Sequence, residues 1–443
     1  MPATPGPGAA PASGQGTPAG GSTLLRFATI GSVDDGKSTL IGRLLHDTKQ
    51  LFDDQLEAVA GASRRRGVDG VDLAFVTDGL RAEREQGITI DVAYRYAATP
   101  RRKFVIADCP GHVQYTRNMA TGASTADLAV VVVDATAGLR EQTRRHCCIA
   151  ALLGVRNVLV AANKMDLAAW DEAAYLSVDT QMRSLCERLG VESVTTVPIS
   201  ALHGDNVVDP SANTPWYPGP TVLQALEDVP AGTWAAEGGS GARLPVQWVL
   251  RHPGGGRSYA GMVTGGVLHA GDEIVVLPAG TRSTIGSLGT FDGVLDEATA
   301  SLSVTLSLTD DLDVSRGDLI APLADAPEPV REFAATLCWF GEKPVEPGAR
   351  FRVKHTTRVT PAQLVGIEGR LDVDTLTLEP AASLGPNDIG VGRIMVATPL
   401  AADDYRVNRV TGSFVVIDEA TNATIAAGMV GVPAVVDGAV DVA

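Results

Sequence analysis

Long hydrophobic runs are missing from this chain of 443 residues. No stretch reaches the roughly 18 consecutive apolar residues that a bilayer-spanning helix requires, which excludes a helical membrane protein. Cysteine is scarce as well. Cys109, Cys147, Cys148, Cys186 and Cys338 are an odd number, contain no C-x-x-C pair, and include two adjacent residues that are poorly placed to bridge each other. Reduced, mostly buried thiols in the cytosol are expected. Positive charge is in deficit, with 36 Lys and Arg against 52 Asp and Glu, a net charge of −16. A general nucleic-acid binder would need a basic face, so that class is disfavoured. Residues 1–22 carry neither Lys nor Arg and no apolar core segment, so they do not read as a signal peptide. Their Pro, Gly, Ala and Ser content predicts a disordered leader.

What is present is a regular alternation. Apolar runs at 24–30, 103–107, 128–133, 157–162 and 194–198 are separated by helical patterns such as 39–46, 141–153 and 172–189. An alternating, edge-like strand is expected at 91–97. This pattern predicts a mostly parallel sheet with helices on both faces, an α/β domain over 23–230. Residues 231–242 (AGTWAAEGGSGA) read as a linker. Beyond them come short alternating strands with turn residues every 8–12 positions, which predict two small all-β barrels at 243–328 and 329–443.

Four short motifs carry the chemistry. Gly31, Ser32, Val33, Asp34, Asp35, Gly36, Lys37, Ser38 and Thr39 form a G-x-x-x-x-G-K-S loop between a strand and a helix. Its backbone N–H groups would wrap a β-phosphate, Lys37 would meet the β- and γ-phosphates, and the Ser38 hydroxyl would ligate Mg²⁺. Thr89, in Gly-Ile-Thr-Ile at 87–90, is the candidate for a loop that closes over magnesium when a γ-phosphate is present. The charged run before it, 78–86, reads equally as a solvated helix face or as part of that switch. Asp108, Cys109, Pro110, Gly111 and His112 follow an apolar strand. Asp108 would hold magnesium, the Gly111 N–H would sense the γ-phosphate, and His112 would orient the attacking water. Asn163, Lys164, Met165 and Asp166 select the base. The Asp166 carboxylate can accept from guanine N1–H and the 2-amino group together, Asn163 either reaches N7 or ties the loop to the phosphate loop, and the Lys164 stem packs over the ring. Ser200, Ala201 and Leu202, after the next strand, can offer a backbone N–H to guanine O6. The loops at 31–39, 108–112, 163–166 and 200–202 each follow an apolar run, at the edge where an open α/β sheet binds its ligand. Val33 is β-branched and crowds the γ-phosphate region, so slow intrinsic hydrolysis stimulated by a partner is expected.

The four motifs followed by two β-barrels resemble the elongation-factor-type translational GTPases. Longer strings, namely 31–50, 82–96, 114–124 (QYTRNMATGAS), 142–146 (QTRRH) and 421–430 (TNATIAAGMV), are similar to the large, GTP-binding subunit of bacterial sulfate adenylyltransferase. The resemblance covers about residues 24–432. It implies a subunit that binds GTP and Mg²⁺ and hydrolyses GTP to drive formation of adenylyl sulfate and pyrophosphate from ATP and sulfate. The adenylyl transfer itself would lie on a separate small subunit of the ATP-pyrophosphatase type. No Ser-Gly-Gly-x-Asp-Ser loop of that ATP-using kind occurs in this chain. Cys109 and Val113 depart from the family pattern and could alter the hydrolytic or coupling rate. Some relatives carry a fused adenylyl-sulfate kinase; no second phosphate loop follows residue 39, so none is expected here. Two alternatives share the same motifs, a factor delivering aminoacyl-tRNA and a GTP switch without a further product.

Overall fold

The computed structural model describes residues 23–50, 73, 89–230, 240–252 and 255–432. The leader, the charged run at 78–86, Gly87, Ile88 and most of the linker lie outside these residues.

Six strands make the first sheet, β1 (Thr23–Ile30), β2 (Ala93–Ala98), β3 (Arg102–Asp108), β4 (Leu128–Asp134), β5 (Asn157–Asn163) and β6 (Ser193–Pro198). Their order is β2-β3-β1-β4-β5-β6, with β2 antiparallel at one edge and every other pairing parallel. The helices are α1 (Lys37–Asp47), α2 (Thr116–Ala123), α3 (Glu141–Leu152), α4 (Glu172–Arg188) and α5 (Val222–Asp228). Strand β4, Leu-Ala-Val-Val-Val-Val-Asp, is buried along its whole length. Side chains alternate across a strand, so Ala129, Val131 and Val133 enter one core while Leu128, Val130 and Val132 enter the other. On β2 only one face is covered, and Tyr94 and Tyr96 stand exposed.

Two of the helices have no strong signal in the sequence. Helix α2 contains Gly122, which costs helix propensity. A Cβ there would run into the Cys109 thiol, with Val92 and Ala107 within 3.5 Å, so the close approach of helix to sheet requires glycine. Helix α5 is short but carries a complete capping box between Thr221 and Gln224.

The chain from Leu244 to Pro322 forms a first barrel. Its sheet closes where Arg243 and Thr264 exchange two backbone hydrogen bonds of 2.8 Å. The expected strand at 244–250 is broken into Leu244–Pro245 and Trp248–Arg251, and the run at 259–268 is interrupted by Gly265 and Gly266, both with positive φ. The second barrel closes through pairing of Arg350–His355 with both Arg358–Leu371 and Ser413–Ile417. Closure leaves no open edge among its six main strands. All five cysteines are buried and none is disulfide-bonded. No helix among the described residues is long and apolar enough to cross a membrane.

The domains are joined by different chemistry. Apolar residues of the second barrel, including Cys338, Leu371, Ile389, Val391 and Met429, continue the core beneath α3 and α4. The Tyr405 hydroxyl donates to the Leu153 carbonyl at 2.9 Å. Between the barrels a small apolar cluster of Val275, Leu277, Leu319 and Ala401 is accompanied by a buried ionic contact. Arg243, 3% exposed, meets Asp403 at 3.1 Å and Asp325 at 2.7 Å. Thr411 adds a hydroxyl donor to Asp403. Arg243→Met keeps the volume but leaves Asp403 buried without a countercharge. It is expected to destabilise the barrel pair by about 3–5 kcal/mol, measured by urea unfolding, with part of the loss recovered in Arg243→Met/Asp403→Leu.

Candidate nucleotide site

The C-terminal ends of β1, β3, β5 and β6 bring the predicted loops together. Residues 31–36 turn from β1 into α1, whose N-cap is Gly36 at φ 95°, so the first N–H groups of the helix have no side-chain cap. Such N–H groups, with the helix dipole behind them, suit an anion. Two glycines here are required by space as well as by φ. A Cβ on Gly31 would strike the Val132 carbonyl, and one on Gly36 would strike the Asn163 amide. Asp34 also adopts positive φ.

Lys37 is buried, and its Nζ donates to the carbonyls of Ser32 at 2.6 Å and Gly31 at 3.2 Å. Burial pushes its ammonium down from the ordinary value, against the pull of Asp108 and Asp35. The Asp35 carboxyl is likewise raised by burial, although it accepts from the Ser32 N–H at 2.8 Å and faces Lys37 and Arg140. Ser38 and Thr39 are half-buried in the first turn of α1. The Ser38 hydroxyl lies 3.5 Å from that of Thr89, so Thr89 of the second motif reaches the start of α1.

Asp108 ends β3 beneath this loop, with the Thr29 hydroxyl 3.3 Å from its Oδ1. Pro110 and Gly111 are buried, and a Cβ on Gly111 would collide with Lys37 Nζ and with the Ser32 carbonyl group. Cys109 serves packing: its thiol contacts the Met119 carbonyl of α2 at 3.8 Å, and burial pushes it well above the ordinary thiol range. His112 is half-buried. Its Nδ1 accepts from the Gln114 N–H at 3.3 Å, and its ring packs on Tyr115 with centroids 5.8 Å apart.

At the base end, the Asn163 amide is engaged at both atoms. It donates to the Asp35 carbonyl at 2.8 Å and accepts from the Ala201 N–H at 2.9 Å. Of the two roles open for Asn163, the structure therefore shows the tie between loops. Lys164, at φ 63°, pairs with Asp134 at 2.7 Å. Met165 is fully buried and donates its N–H to Ile199. Asp166 stands at the rim, 3.8 Å from His203. The Ser200 N–H bonds the Asp205 carbonyl, and the Leu202 and Ala201 carbonyls are held by Arg43 of α1.

Helix α3 and its N-cap residue supply side chains that the motifs do not include. Arg140 donates to the Val33 carbonyl at 3.2 Å, and Thr143 meets the Ser32 hydroxyl at 2.9 Å. His146 is buried against Gln142 at 2.7 Å, and burial pushes it down to about 3, so it is neutral. These residues stand more than 100 positions from the loop they support. For Thr143 and His146 the only signal was the similarity of the QTRRH string at 142–146, and Arg140 lies outside it.

Residues 22–231 match the elongation factor Tu GTP binding domain family, and residues 332–431 match the GTP-eEF1A C-terminal domain-like family. The chain is 52% identical to the bifunctional enzyme CysN/CysC of Mycobacterium tuberculosis, over 92% of this chain and 67% of that protein. It is 47% identical to sulfate adenylyltransferase subunit 1 of Pseudoalteromonas atlantica and 48% identical to that of Teredinibacter turnerae, in each case over 92% of this chain and 87% of the relative. With a GTP-binding domain at its front and this identity along almost its whole length, the chain belongs to the sulfate adenylyltransferase subunit 1 family.

Proposed function

We propose that this chain is the GTPase subunit of a two-subunit sulfate adenylyltransferase in the cytoplasm. Hydrolysis of GTP on residues 31–202 drives the unfavourable formation of adenylyl sulfate and pyrophosphate from ATP and sulfate, the first step of sulfate assimilation. The adenylyl transfer takes place on a small subunit of the ATP-pyrophosphatase type. The observation that carries the reading is the convergence of Lys37, Ser38, Thr89, Asp108 and Gly111 at one end of the sheet, with Asn163 locking the phosphate loop to the base loops.

Each residue has a role in this reading. Lys37 and the N–H groups of 31–39 bind the phosphates. The Asp166 carboxylate takes guanine N1–H and the 2-amino group. Since the N–H groups of Ser200 and Ala201 are bonded within the protein, guanine O6 falls to Leu202 N–H. The donor set suits Mg²⁺, which prefers hard oxygens and keeps several waters. The hydroxyls of Ser38 and Thr89 are 3.5 Å apart, close to the roughly 3 Å between neighbouring ligands of an octahedral ion with bonds of about 2.1 Å. Asp108 would hold the ion directly or through water. When bound, Mg²⁺ neutralises charge that develops on the phosphates. Gly111 reports the γ-phosphate through its N–H, and His112 orients the water.

Acidity separates this reading from a tRNA-carrying factor poorly; the internal strings, such as MATGAS at 119–124, are what favour it. The test combines this chain with the candidate small subunit. GTP turnover should rise at least about tenfold only when ATP, sulfate and that subunit are all present, read as phosphate release alongside adenylyl sulfate. Equal turnover with all three omitted would point to a free-standing switch. Tight, salt-sensitive binding of aminoacyl-tRNA would point to a translation factor.

A further inference from the structure

Ser32 is held at every polar atom. Its N–H donates to Asp35 and its carbonyl accepts from Lys37, both within the phosphate loop. Its hydroxyl leaves the loop and meets Thr143 Oγ1 at 2.9 Å, 111 residues later, in the first turn of α3. Ser32 is 4% exposed and Thr143 is fully buried. One hydroxyl must donate and the other accept, since no solvent reaches either to substitute. A helical threonine can usually turn its hydroxyl back to a carbonyl of the preceding turn. Here it is spent on the loop instead.

We propose that Thr143 is a positioning residue for nucleotide retention. Its hydroxyl pins Ser32, and the Ser32 carbonyl in turn holds the Lys37 ammonium where it meets the phosphates. The inference rests on reading residues 31–38 as the phosphate site. Thr143 acts through Ser32 and contributes no contact of its own to the nucleotide.

The surroundings of α3 support a distinct role for this position. Arg140, just before the helix, reaches the Val33 carbonyl and lies 3.8 Å from Asp35. Arg144, on the other side of Thr143, pairs with Asp374 of the second barrel at 2.6 Å. Cys147 and Cys148 are packed in the core that the barrel shares. The first turn of α3 is thus seated by the barrel on one side and grips the phosphate loop on the other. Thr143 is the hydroxyl through which that grip reaches Ser32.

The test is release of a fluorescent GDP analogue from the full chain in Mg²⁺ buffer. Thr143→Val preserves the shape and deletes the hydroxyl, leaving Ser32 Oγ buried without its partner. Release is expected to be roughly tenfold faster, with association changed by less than about twofold. Thr143→Ser restores the hydroxyl and should bring release back to within about twofold of wild type. Ser32→Ala should release as fast as Thr143→Val, and the double variant should be no faster than either, because the two act as one unit. Ser32→Ala carries the test if Thr143→Val fails to fold. Wild-type release from Thr143→Val, no rescue by Thr143→Ser, or additive effects in the double variant would overturn the proposal. Failure of the wild-type chain to retain any guanine nucleotide would overturn the phosphate-site reading itself, and the proposal with it.

Discussion

His112→Ala should lower GTP turnover in the assembled complex by about a hundredfold to a thousandfold while leaving GDP affinity within about twofold, the range expected for loss of a group that handles a proton or orients a reacting water. The residue follows Gly111, whose Cα is so close to Lys37 and the Ser32 carbonyl that a methyl group would not fit. His112 therefore stands beside the part of the loop that holds Lys37 and Ser32. Its Nδ1 accepts the Gln114 N–H, which leaves Nε2 as the ring nitrogen able to donate. In the proposed reading that nitrogen would donate to the attacking water and fix its direction, and the proton lost by the water would pass elsewhere, to phosphate oxygen or solvent. His112→Gln should retain more activity than His112→Ala, because an amide can also donate. Single-turnover hydrolysis beside a GDP titration separates the two outcomes. Full activity in His112→Ala would remove the residue from the reaction.

Asp166→Asn should weaken GTP binding about a thousandfold and restore much of it for xanthosine triphosphate. Guanine presents two donors side by side, N1–H and the 2-amino group, and a carboxylate accepts both with charge assistance. Each such bond contributes about 1.5–3 kcal/mol. Asparagine offers one acceptor and one donor, so its amino group faces the guanine amino group. Xanthine has a carbonyl there, and the mismatch is relieved. The substitution is local because its neighbours are independently secured, Met165 by the Ile199 carbonyl and Lys164 by Asp134. Competition binding with both nucleotides on the full chain measures the switch. Equal weakening for both would mean that Asp166 shapes the loop without contacting the base.

The fold class was readable because its signals are local. An all-apolar run such as 128–133 can only be buried on two sides, and it is the central strand β4. Short alternating runs with frequent turn residues became two closed barrels. The elements that went unread lack a local period or are held by distant contacts. Helix α2 spends Gly122 on its approach to Cys109, which weakens any helical signal. Strand 244–250 was broken because its ends serve different neighbours, Leu244–Pro245 pairing within the closed barrel and Trp248–Arg251 extending beyond it. In the nucleotide site, residues of the four motifs were readable because their chemistry needs backbone and side chain from one tight loop, which forces contiguous residues. The sequence left Asn163 between two roles, since nothing local says whether its amide faces a ligand or another loop.

Sequence patterning settled the class of domain, the guanine nucleotide family and the order of loops, since each depends on residues within a few positions of one another. Folding settled which side chains support those loops. Thr143 reaches Ser32 across 111 residues, and Asn163 reaches Asp35 across 128. Arg243 meets Asp403 across 160 residues at the barrel junction. These partners are set by how helices and barrels pack around shared cores. A contact between two single residues so far apart leaves no period and no local motif, so it exists only once the layers have come together.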